Sequence, residues 1–404
     1  MRRAEAEALA GAALRLRRWA LGVLAAECGA EVAPPPAASP RAWELFLRAE
    51  RCAFPLHRRL RASGAERALP PDAARKLGAI AIEEMQRVLS ARAQLQRLSR
   101  WAADRGETAV VLKGGVAAAD ENEGISLADI DVWVAPDAEA ALLEALACSG
   151  HVSRSNRTTR HHHAARLADQ MVAVEVHTAV PYADLGDGWL GRVRPLHAAF
   201  PGLARLDAAD HLWHVLVHAT VQHLERRGQL RDVLLIAHAR SIGSEAQRRD
   251  VLERARRSRH AEPLLAMLDM AGRIGSGSAP IDPFARIAAS RYLYPLVHRS
   301  DAPMTRLRVP GVAAVLDGPR SAVFYVASAW RHRDVPARMP ALRALQRRSR
   351  RFGGAVVLAL RMAKRTLVLL LALRSARAAR RLARIHDRRA AEDRCRASAA
   401  RVAY

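Results

Sequence analysis

AVVLKGGVAAADENEGISLADIDVWVAP, residues Ala109 to Pro136, is the stretch from which the fold of this chain follows. It opens on the β-branched pair Val110 and Val111, breaks at Lys113-Gly114-Gly115, and closes on the alternation Ile130, Val132, Val134 with Asp129 and Asp131 interleaved. Strict alternation predicts a strand. Side chains of a strand repeat every second residue, so the two carboxylates share one face, about 7 Å apart. Two acids on an otherwise apolar strand are costly to desolvate unless a cation sits between them. A divalent cation such as Mg2+ or Mn2+ suits, because it takes its oxygens from one or two carboxylates, from water and from phosphate. Gly114 and Gly115 lack Cβ atoms, so their amides can close on a phosphate, and a helix starting near Val116 adds its positive end. The plain alternative is a strand edge whose aspartates face water; the coupling of strand, glycine turn and helix favours the metal-phosphate clamp.

Leu112-Lys113-Gly114 and Asp129-Ile130-Asp131 resemble the core of the polymerase-β-type nucleotidyltransferase superfamily, and more closely its bacterial uncharacterised nucleotidyltransferase family. The resemblance implies that Asp129 and Asp131 hold metal ions and that a third carboxylate stands on a neighbouring strand. Val172-Ala173-Val174-Glu175-Val176-His177 is similar to that strand, with Glu175 at the position of the acid and His177 two residues on. Lys113, Gly114, Gly115, His177 and His218 are then expected at the nucleotide, and Asp232 matches a less specific position. The implied fold is α+β, a small mixed-sheet core between helical regions. The implied activity is Mg-dependent transfer of a nucleoside monophosphate from a nucleoside triphosphate, ATP among them, to an acceptor hydroxyl. Three positions depart from the family pattern. Ile125 and Ser126 stand where an arginine is usual, Asp120-Glu121-Asn122-Glu123 where an aromatic is usual, and Gly114-Gly115 where the superfamily has glycine-serine.

The 404 residues exceed one typical core, and alanine and arginine dominate a composition in which only 4% is aromatic, so helix is the default. Three lysines, Lys76, Lys113 and Lys364, stand against 62 arginines. Cys28, Cys52, Cys148 and Cys395 are far apart and form no C-x-x-C pair, which argues against a zinc site and a disulfide framework and for a reducing compartment. The N-terminal helix carries Glu5 and Glu7 and lacks a cleavage signal, so a cytoplasmic protein without a transmembrane span is expected. Of the net charge of +25, +17 falls between Arg331 and Tyr404.

Organisation is expected as an N-terminal helical region (1–105), a nucleotidyltransferase core (106–182), a helical domain (183–340) and a basic C-terminal helical segment (341–404). Helices are expected over 1–33, over 41–62, from Asp72 as N-cap to Asp104, from Asp137 to Cys148, and from Asp210 as N-cap to Leu224, with Ser244 capping another. His211, His214 and His218 fall on one helical face without the acid of a zinc-protease motif, so a site-facing stripe outweighs a metal site. His161-His162-His163 reads as a basic strand or loop. Residues 354–373 are interrupted by Arg361, Lys364 and Arg365, leaving apolar runs too short for a bilayer. Beyond them Arg374, Arg377, Arg381, Arg384 and Arg388 recur at helical spacing. This stripe is either a docking face for RNA or an anionic membrane, or the solvated back of a helix packed on the body. The second functional reading follows from it: a non-catalytic binding module that keeps the fold and docks through residues 374–388.

Overall fold

The computed structural model describes residues 3–26, 30–120, 124–154, 162–167, 171–180, 185–223, 226–277, 281–297, 376 and 378–384. Four helices come first: α1 (Arg3–Ala25), α2 (Pro40–Glu50), α3 (Ala53–Ala62) and α4 (Pro71–Arg105). The Ser39 side chain accepts the Ala42 N–H and Pro40 fills the first turn, so α2 has a well-made start. The single helix expected over 41–62 is two helices. Arg51 adopts a left-handed backbone, φ 52°, and its N–H closes α2 on the Leu47 carbonyl. Pro70, not Asp72, stands at the cap of α4; Asp72 lies in the first turn, where its charge suits the helix dipole. Gly106, at φ 66°, ends α4 as expected.

The next segments are β1 (Ala109–Leu112), α5 (Gly114–Ala119), β2 (Asp129–Trp133), α6 (Glu139–Cys148), β3 (His151–Arg154), β4 (His162–Leu167), β5 (Ala173–His177), β6 (Arg194–Pro195) and β7 (Leu203–Arg205). They form one mixed sheet in the order β3-β4-β5-β2-β1-β7-β6. Strand β2 is antiparallel to β1 and parallel to β5, and β1 is parallel to β7. Val111, Ile130, Val132, Val174 and Val176 face α4 and α6 and are fully buried with Leu95, Leu98, Leu142 and Leu146. The opposite face carries Val110, Leu112 and Trp133 beside Leu206, and it also carries the acids. The glycine pair lets α5 lie directly on this sheet: a Cβ on Gly115 would stand 2.6 Å from Val111 Cγ1, and one on Gly114 2.4 Å from Leu127 Cδ2.

Helices α7 (Ala208–Val217), α8 (Leu230–Ile242), α9 (Glu245–Arg257), α10 (Ala261–Gly275) and α11 (Ala285–Val297) follow. The N-cap of α7 is Asp207, whose carboxylate accepts the Asp210 N–H; Asp210 itself is buried and paired with Arg192 and Arg254. Ser244 and Gln247 make the reciprocal capping box of α9. One apolar core runs from Ala6 on α1 through α2, α7, α8, α10 and α11 to Ala379 and Leu382. In the basic stripe Arg381 and Arg384 are exposed while Ala378, Ala379, Leu382 and Ala383 are buried. Arg374, Arg377 and Arg388, like His161, lie outside the described residues. Among the described residues no helix is long and apolar enough to cross a membrane.

Candidate active site

The pleat of β2 brings Asp129 and Asp131 to the same face, and the parallel register sets Asp131 directly beside Glu175 and Asp129 beside Ala173. Strand neighbours in register stand about 5 Å apart, so three carboxylates gather at one end of the sheet. The Asp131 Oδ1 atom accepts from Lys113 Nζ at 2.7 Å and lies 2.8 Å from His177 Nε2. Ligand atoms of Asp131, Glu175 and His177 all lie within 4.8 Å of one another. Lys113 reaches this position from the turn between β1 and α5, where its backbone has φ 50°. A non-glycine residue in that region is strained and is held there by its surroundings.

Opposite the acids stands a helical wall. Helix α7 relaxes at its end into a π-helical turn, His218–Gln222, a local widening of the kind that often accompanies functional sites. His218 and His223 from this turn pack edge to face, 4.8 Å between ring centres. Arg226 precedes α8, and Arg231 and Asp232 are in its first turn. Between the two walls lies a cavity of about 230 Å³, bounded by Asp129, Asp131 and Glu175 on the sheet and by Lys113, His218, His223, Arg226 and Arg231 around and above them. Arg231 is buried and donates through Nε and one terminal nitrogen to Asp232 Oδ1, at 2.9 and 2.7 Å.

Burial and the neighbouring carboxylates Asp131 and Glu175 push the Asp129 carboxyl above its ordinary range. Burial acts the same way on Asp131, but there the Lys113 ammonium and the His177 hydrogen bond outweigh it and hold the group well below that range. Thus one aspartate is already compensated and the other is not. A site with three clustered carboxylates, one of them resisting ionisation, fits a divalent cation with hard oxygen ligands. Burial, with Lys113 and His223 alongside, holds His218 well below the usual imidazole value, so it is a neutral ring at pH 7.

Of the residues singled out from sequence, Asp129, Asp131, Glu175, Lys113, Gly114, His218 and Asp232 all border the cavity. His177 stands behind Asp131 as its hydrogen-bond partner. The position of a Cβ on Gly115 points at Val111 and Ile130, on the far face of the sheet. His211 and His214 are buried in α7, and the one group of potential metal ligands among the described residues does not include them. His223 and Arg226 are not among the residues expected from sequence, and Arg231 enters there only as the neighbour of Asp232 in an arginine-aspartate turn; their signal is the cluster of polar residues between His218 and Asp232 in an otherwise apolar helical pair. Ile125 and Ser126, where arginine is usual, are buried, and the arginine whose charge acts on Asp129 and Asp131 is Arg231.

A mixed sheet with two aspartates on one strand and a third acid on its parallel neighbour is the arrangement that the resemblance to nucleotidyltransferases implies. Residues 39–275 match the family described as uncharacterised nucleotidyltransferase, and the chain belongs to it. Comparison with curated proteins and with solved structures gives no significant match.

Proposed function

We propose that the chain transfers a nucleoside monophosphate from a nucleoside triphosphate to an acceptor hydroxyl, with Mg2+ or Mn2+ held by Asp129, Asp131 and Glu175. The observation that carries this reading is the facing of three carboxylates, two of them matched in register on adjacent strands, by a cationic wall across a cavity of about 230 Å³. A divalent cation there would neutralise phosphate charge and lower the pKa of an acceptor oxygen. Lys113, Arg226 and Arg231 receive the triphosphate, Arg231 with its orientation fixed by Asp232. His218, neutral, offers a hydrogen bond without adding charge. The acceptor oxygen attacks the α-phosphorus, its proton passes toward Glu175, and pyrophosphate leaves along the arginine side. Positioning and charge neutralisation account for most of the acceleration in such a step.

The test is to incubate the protein with each α-labelled nucleoside triphosphate, Mg2+ and cell extract, and to follow label into an acid-stable product. Label from one triphosphate is expected, absent with Asp131→Asn. With Glu175→Gln turnover should fall far more than nucleotide affinity. Transfer by Asp131→Asn at the wild-type rate would end this reading.

A further inference from the structure

Helix α2 ends against the start of α8. Glu50, fully buried, accepts the Leu230 N–H at 2.8 Å, and the Gln229 side chain donates to the Ala49 carbonyl. The residues next to these contacts are Arg51 on one side and Arg231 on the other, so the two guanidinium groups are brought to one place by backbone that cannot drift apart. The charge of Arg87, on α4, also acts on Arg51. One turn before Arg87, Glu84 accepts the Phe54 N–H at 2.9 Å, which ties that part of α4 to the residues just after Arg51. Arg226 comes from the loop preceding α8. Arg231 is paired with Asp232. The side chains of Arg51, Arg87 and Arg226 form no ion pair with any described residue.

Like charges gathered in a half-buried place repel one another and lose hydration. Arg51 feels both: burial, then Arg231 and Arg226, push its guanidinium down to about 10. Asp232 offsets this only in part, and Glu84, on which the Arg51 charge also acts, is raised to about 7 by burial. The backbone gives a second, independent sign. Among the described residues the non-glycine positions with positive φ are Lys113 and Arg51. A helix ending in this way ordinarily uses glycine. At the end of α2 the cation Arg51 stands in its stead.

We propose that Arg51 and Arg87, beside Arg226 and Arg231, form a second anion subsite that holds a phosphate group of the acceptor. The inference rests on the nucleotidyltransferase reading for the word acceptor, and names its class: a hydroxyl compound that carries phosphate. Arg226 and Arg231 border the cavity that receives the triphosphate, whereas Arg51 and Arg87 are not among the residues that line it. A triphosphate and a second phosphate therefore bind together rather than in turn.

Inorganic phosphate is the probe, followed by 31P line broadening on the full chain, alone and saturated with Mg2+ and a non-hydrolysable nucleoside triphosphate analogue. Phosphate binding should persist in the saturated protein. Arg51→Gly suits the left-handed backbone and so keeps the fold while removing the charge; it and Arg87→Met should each weaken phosphate about tenfold, the worth of one charge-assisted hydrogen bond. Both should leave the analogue's affinity within about twofold. Displacement of phosphate by the analogue, one for one, would overturn the subsite, as would wild-type phosphate binding by both variants. Failure of the chain to bind the analogue at all would count against the proposed function; phosphate binding by the unliganded protein, and its loss in Arg51→Gly, would still decide the subsite.

Discussion

The two walls of the cavity are built by different means. On the sheet, Asp129, Asp131 and Glu175 owe their places to a two-residue repeat and to the register of two adjacent strands. On the helical side, Arg226 and Arg231 owe theirs to contacts with parts of the chain some 180 to 211 residues away: Glu50 on the Leu230 N–H, and Arg17 on the Gly228 carbonyl at 2.6 Å. Arg17 is fully buried and also binds Glu50 and Asp282, while Arg291 and Tyr292 of α11 close on the other Glu50 oxygen. Acids are thus fixed locally, and the cations that oppose them are fixed by helices at both ends of the described chain. Arg17, Asp282, Arg291 and Tyr292 all lie outside the segment 39–275 that matches the family.

That contrast can be broken at its strongest point. Glu50→Ala leaves Arg17 buried beside one acid fewer and frees the start of α8, and it should cost about 3–5 kcal/mol of stability in denaturant titration. A loss below about 1 kcal/mol would mean that the helical wall does not depend on the network. Next in size is Asp131→Asn. It removes the charged partner of the half-buried Lys113 and should cost about 2–3 kcal/mol, together with metal-dependent nucleotide binding. Asp129→Asn separates function from stability. Its carboxyl is raised in the folded protein, so ionisation opposes folding: the penalty is absent below the ordinary carboxylate pKa and complete above the raised one. The asparagine variant should therefore match wild type near pH 3.5 and exceed it at pH 8 by up to about 1 kcal/mol, while losing metal-dependent binding. Equal stability at both pH values would remove the proposed strain among the three acids. Smallest is the pair Arg381→Ser and Arg384→Ser, exposed on the outer face of the packed segment; its thermal midpoint should move by the equivalent of about 0.5 kcal/mol or less.

The same contrast explains what could be read in the sequence. Period-two alternation is local, so β2, β5 and the common face of Asp129 and Asp131 were legible from residues 129–134 and 172–177, whereas the place of Glu175 beside them depends on strand register and was expected only from the family resemblance. Gly106 and the Ser244 cap were legible because a helix end is written within a few residues. The break in the helix over 41–62 was not, since Arg51 and Cys52 are neither glycine nor proline and the left-handed turn is sustained by tertiary contacts. At α7 the sequence offers Asp207 and Asp210 three residues apart, both able to cap; the outer one does, because Arg192 and Arg254 draw the inner one into ion pairs. That Arg226 and Arg231 border the cavity was hidden for the same reason that their wall is long-range. Nothing within ten residues of Arg231 says that Glu50 fixes the helix on which it stands.

The short strand β6 has a consequence for the molecule among other molecules. An open sheet invites a stranger's strand to continue its ladder, and long flat margins are where proteins stick to one another. Here the margin beyond β7 is two residues long, and both are exposed. Pro195 has no N–H to offer an incoming strand, and Arg194 sets a charge beside it. The sheet that holds the acids is thereby closed to growth on that side, and copies of the chain meeting there find no template for aggregation.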